Sequence, residues 1–112
     1  MTLADVFNML DGVTELKGKV RYRAFPIDSG DVPLPPYAVY FETDSNNFVA
    51  DNKVYNAGDD VDIELYETSR DFTLEGKIET ALNNLELPWV RSSRYQINDN
   101  IYEIVYSITI RR

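Results

Sequence analysis

Residues 61–85 constrain the fold of this chain more than any other stretch. They read Val-Asp-Ile-Glu-Leu-Tyr-Glu, then Thr-Ser-Arg-Asp, then a run of about four helical turns. Val61, Ile63 and Leu65 alternate with Asp62, Glu64 and Tyr66. That period of two describes a strand with one face buried. Leu74, Ile78, Ala81, Leu82 and Leu85 recur at three and four, the apolar stripe of an amphipathic helix. Between them, Ser69 and Asp71 carry short oxygen-bearing side chains that suit a helix cap. A strand that runs straight into a helix presents two apolar faces that must bury against each other. The rest of the chain is then material that covers this unit.

The other segments sort by the same two periods. Residues 2–10 predict a short helix, with Thr2 as cap, Asp5 in the first turn and Gly12 as a stop. Leu3, Val6, Phe7 and Leu10 share one side, so this helix has to dock on something. Residues 19–25 alternate as a strand, with Val20, Tyr22 and Ala24 opposite Lys19, Arg21 and Arg23. Residues 26–36 hold four prolines and a glycine and read as loop. Residues 37–42 predict a strand bulky on both faces. Residues 43–60 are an extended loop or a small hairpin, with Asp51-Asn52 as its turn. Leu87-Pro88 closes the helix, and Trp89 and Val90 are expected to anchor its end. Residues 91–96 and 101–110 form a closing hairpin, with Tyr102, Ile104, Tyr106, Ile108 and Ile110 on one face of its second strand. Adjacent strands with short links favour antiparallel pairing, and the helix before residue 91 permits one crossover. The predicted class is α+β: a four- to five-stranded, mainly antiparallel sheet with two helices packed on one face, all in a single domain spanning residues 1–112.

What the chain lacks narrows its chemistry. It has neither histidine nor cysteine among its 112 residues. Disulfides, thiolate catalysis and His-dependent nucleophilic sites are therefore excluded within the chain. The five glycines never cluster into a phosphate-binding loop. Asp62 and Glu64 share a strand face, but no calcium-loop pattern surrounds them, and residues 44–48 start like one and fail at Phe48. Glu75 and Glu79 stand one turn apart and are expected on the helix's outer side. No catalytic residue, cofactor or metal site is predicted. No apolar run approaches the roughly 18 residues of a membrane span, and the N-terminus lacks a signal-peptide pattern.

Charge is unevenly spread. The net charge is −8, yet residues 28–86 alone hold fourteen acids against three bases. So acidic a middle repels phosphate and argues against nucleic-acid binding. It is either a solvated surface or one that faces a basic partner. Lys19, Arg21 and Arg23 form the compact positive patch; they protect an edge strand or contact an acidic neighbour.

Several stretches together resemble a known family. They are Pro36-Tyr-Ala-Val-Tyr40, Ala50-Asp-Asn-Lys-Val-Tyr55, Ile63-Glu-Leu-Tyr-Glu-Thr68, Asp71-Phe-Thr-Leu-Glu75 with Lys77-Ile-Glu79, and Tyr102-Glu-Ile-Val-Tyr-Ser-Ile108. In order and spacing they are similar to the tail-completion, or tail-terminator, proteins of long-tailed bacteriophages of Gram-positive bacteria. The resemblance implies a non-enzymatic virion protein, a ring of typically six copies on the head-proximal end of the tail tube. Such a ring ends tube polymerisation and docks to the head connector or head-closure protein, and DNA crosses it without specific binding. Its implied partners are further copies of itself, the tail tube protein and that connector, with no membrane. On this reading Arg21, Arg23, Phe48, Lys53, Val54 and Tyr55 are the candidate subunit interface. Asp59, Asp60, Asp62, Glu64 and Glu67 are the candidate acidic surface. Two alternatives stay open: another neck component of the same particle, and a cellular interaction module or small carboxylate-dependent enzyme.

Overall fold

The computed structural model describes residues 1–24, 33–50, 53–98 and 101–111. Helix α1 (Leu3–Asp11) opens the fold and is followed by a 3-10 turn (Thr14–Leu16). Then come β1 (Val20–Tyr22), β2 (Tyr37–Ser45), β3 (Phe48–Ala50), β4 (Lys53–Asn56) and β5 (Gly58–Glu67). Helix α2 (Phe72–Asn84), β6 (Trp89–Asn98) and β7 (Ile101–Arg111) complete it. The main sheet has five strands in the order β1-β2-β5-β7-β6, and β3 and β4 pair as a separate two-stranded unit.

The sheet is mixed but mainly antiparallel, as the sequence predicts. β5 pairs antiparallel with β2 and with β7, and β7 pairs antiparallel with β6. β5 and β6 therefore run the same way with β7 between them, and α2 is the crossover that joins them. The expectation of antiparallel pairing fails at one place: β1 runs parallel to β2, with Val20 opposite Ala38 and Tyr22 opposite Tyr40. A parallel neighbour needs a link of about a dozen residues, and residues 23–36 are long enough to provide it.

Both helices lie on one face of the sheet. Val6 and Leu10 of α1 and Leu74, Ile78 and Leu82 of α2 meet Val61, Ile63, Leu65, Ile104 and Tyr106 in one core. The ends are capped as the residue types suggest. Thr2 and Asp5 form a reciprocal capping box, and the Asp71 carboxylate accepts the Leu74 N–H at 3.0 Å. Ser69 makes no cap; instead Glu67 Oε2 accepts the Asp71 N–H.

Several boundaries depart from the periodic reading. The first strand stops at Tyr22 because Arg23 takes a left-handed φ of 70°. α2 ends at Asn84, before the proline could end it, and Glu86 turns at a φ of 57°. Leu85 thus leaves the apolar stripe and is exposed. Of the two residues expected to anchor the helix end, only Trp89 does so. Its indole N–H donates to Asn83 Oδ1 at 3.0 Å, and its ring meets Tyr106 edge-on. Val90 is 64% exposed, because alternation along β6 sends it to the opposite face. Glu75, expected on the outer side of α2, is buried.

Candidate functional site

The face of the sheet away from the helices is built in rows by the strand register. Tyr37, Tyr66 and Glu103 form one row; Val39, Glu64 and Val105 the next; Phe41, Asp62 and Ser107 the third. Asp60 and Thr109 continue it towards the root of the β3–β4 hairpin. β5 therefore runs an acidic stripe, Asp60, Asp62 and Glu64, down the middle of a surface flanked by aromatic and aliphatic side chains.

Each acid of the stripe is held by a neutral donor. Thr109 Oγ1 donates to Asp60 at 2.7 Å and Asn46 Nδ2 at 2.9 Å, and these bonds hold the Asp60 carboxyl below its usual range. Ser107 Oγ donates to Asp62 at 2.8 Å. The Tyr66 hydroxyl donates to Glu64 Oε2, while its ring stacks on Tyr37 with centroids 4.8 Å apart. Burial between Val39 and Val105 pushes Glu64 up, and Glu103 adds to that. Hydroxyl donors fix the carboxylates without neutralising them, so the stripe presents oriented negative charge.

The positive residues separate. Arg21 lies opposite Val39, which puts it on the rim of the open face, in the same row as Glu64. The left-handed turn at Arg23 swings its guanidinium over the Tyr22 ring, 5.0 Å from the centroid, and onto Glu42 at 2.8 Å. Glu42 pairs with Val61, on the helix side of the sheet. Lys19 reaches the Leu34 carbonyl at 3.3 Å. The expected three-residue basic face is therefore not one patch, since a single positive φ reverses the alternation.

The hairpin of β3 and β4 is clamped at its root. The Asn46 N–H donates to the Gly58 carbonyl at 2.8 Å, the Gly58 N–H donates to Asn47 Oδ1 at 3.1 Å, and Arg111 donates to the Asn46 carbonyl. A Cβ at Gly58 would lie 2.6 Å from the Asn46 carbonyl oxygen, so only glycine fits where the hairpin rejoins the sheet. Lys53 in β4 is exposed. The side chains of Phe48, Val54 and Tyr55, and the expected turn residues 51 and 52, lie outside the described residues.

The candidate acidic surface needs one correction. Glu67 is 1% exposed and sits on the helix-covered face with Val61, Ile63 and Leu65. Its odd position in β5 is the signal that places it there. Asp59, also odd, is half-buried. Asp60, Asp62 and Glu64 alone make the stripe.

A shallow groove of about 1140 Å³ lies between the helices, lined by Met9, Val13, Phe72, Ala81 and Leu85 among others. Lys77 at its edge is tied to Glu15 at 2.9 Å, and that bond lowers the Glu15 carboxyl. Among the described residues no group of three or more acids is arranged to hold a metal ion, and no helix is long and apolar enough to cross a membrane.

No family model matches the sequence, and no curated protein matches it. Seven chains of solved structures do match. One belongs to the virion of the native gene transfer agent particle. It is 14% identical, with a TM-score of 0.57, and the match covers 96% of this chain and 92% of that one. At that identity the likeness is one of fold.

Proposed function

We propose that this chain is a structural protein of a virion that caps the head-proximal end of a phage tail tube as a ring and forms the joint to the head. The observation that carries the reading is the fold shared, over nearly the full length of both chains, with a component of a gene transfer agent virion. The resemblance of residues 36–108 to tail-completion proteins points the same way and supplies the finer role. No histidine or cysteine is present, and the open face offers oriented carboxylates. On this reading the stripe of Asp60, Asp62 and Glu64 faces neighbours or passing DNA, where negative charge prevents sticking. Arg21 on the rim and Lys53 in the hairpin are the cationic candidates for contact with a neighbouring copy, and Phe48, Val54 and Tyr55 are the candidate apolar anchors.

The test is deletion of the gene in the phage that carries it, followed by electron microscopy. Overlong tails detached from filled heads are the expected result. Normal tails with leaking heads would assign the chain to head closure or joining instead. Particles of normal form would overturn a role in the virion neck.

A further inference from the structure

We propose that Glu67 and Glu75 hold a single proton between them in the folded protein, and that this proton latches β5 to the first turn of α2. The reasoning begins with a charge count. Two carboxylates are buried at this joint, with Glu67 1% and Glu75 2% exposed. Arg70 is the cation beside them. It donates through Nε and Nη2 to both oxygens of Glu75, at 3.1 and 3.0 Å, and its guanidinium also lies over the Phe72 ring. That fork commits Arg70 to Glu75. One negative charge is left over in a place where an uncompensated charge is costly.

An unsatisfied oxygen shows that a donor is needed at this joint. Glu67 Oε2 accepts the Asp71 N–H, but Oε1 is buried without a partner. The Glu75 side chain lies within hydrogen-bonding reach of Glu67. Two ionised carboxylates side by side have no donor to offer each other. One proton turns one of them into a donor and removes the surplus charge in the same step. Burial first, and then the Glu75 charge, outweigh the opposing pull of the Asp71 N–H and push Glu67 up to about 7.

Among the described residues, the other groups around the joint bring no further positive charge. The Asp71 carboxylate is spent on the Leu74 N–H. Tyr102 of β7 stands opposite Glu67. Tyr106 of β7 donates its hydroxyl to Glu79 at 2.7 Å, and burial raises that hydroxyl further, so it stays neutral. Arg91 of β6 faces Glu79 at 3.6 Å. The latch depends on the fold alone and holds whichever role the particle assigns to the chain.

The pH window follows from the direction of the shift. Glu67 binds its proton more tightly folded than unfolded, so the stabilisation is complete below the ordinary value of 4.5. It is lost as pH rises through about 7. Thermal unfolding of the wild type and Glu67→Gln, compared between about pH 5 and pH 8, tests this. The amide keeps a donor and cannot ionise. The wild type is therefore expected to lose on the order of 5–10 °C in Tm relative to the variant across that range. Parallel profiles would overturn the proposal. A second measurement needs no variant: a carbon-detected NMR titration of the assigned Glu67 carboxyl in the wild type, with hydrogen-exchange protection of the Asp71 to Glu75 amides. The carboxyl should titrate near neutrality and protection should fall over the same interval. A Glu67 that titrates in the ordinary carboxylate range would sink the idea.

Discussion

The two faces of the sheet carry the same residue type under different rules. On the open face, Asp60, Asp62 and Glu64 are each met by a hydroxyl or amide donor and remain at the surface. Beneath α2, Glu67 and Glu75 are buried, and the one guanidinium beside them is bonded to Glu75. A carboxylate at the surface needs only orientation, because water does the rest. A carboxylate under a helix needs a counter-charge or a proton. The comparison separates what a face costs from what it offers. The helix side stores stability, and the open side presents charge.

The largest effect that would test this contrast is apolar truncation. Ile63→Ala removes a fully buried side chain under α2, whereas Val105→Ala removes one from the open face. In urea unfolding the first should lose about 3 kcal/mol and the second about half that or less. Equal losses would mean that the open face is as tightly packed as the core. Next is Arg70→Ala, which leaves Glu75 as a second buried carboxyl with no cation. The expected loss is about 3 kcal/mol near pH 8 and distinctly less near pH 5, where protonation relieves it. A loss independent of pH would show that Arg70 acts through packing on Phe72 alone. The smallest effect is Ser107→Ala on the open face, which frees Asp62 to water. About 1 kcal/mol or less is expected. A larger loss there would place part of the core on the wrong side.

Much of this contrast can be read in the sequence. Alternation puts Val61, Ile63 and Leu65 inward, and by the same count it puts Glu67 inward. The competing expectation rested on charge, which argues for solvent. Position wins because β5 keeps an unbroken register with β7 up to Glu67, and the Asp71 N–H is there to receive the side chain. Glu75 carries a similar signal, standing three residues before Ile78 and seven before Leu82, on the side of the helix that is buried. Reading Glu75 together with Glu79 hides it. Arg23 has no such signal. Nothing in its residue type announces a φ of 70°, and that one dihedral splits the basic residues between two faces.

By itself the sequence determined both helices and the strands of the main sheet, most of the apolar face of each helix, the inward faces of β5 and β7, and the caps at Thr2 and Asp71. These are local properties, set by period and residue chemistry within a few residues. The tertiary structure alone decided the parallel docking of β1, the clamping of the hairpin root at Gly58 by Asn46 and Arg111, and the burial of two carboxylates beside one guanidinium that forks onto Glu75. Each of those depends on which distant segments become neighbours. Long-range pairing is settled by burying the whole set of faces at once, and no single stretch of chain holds that information.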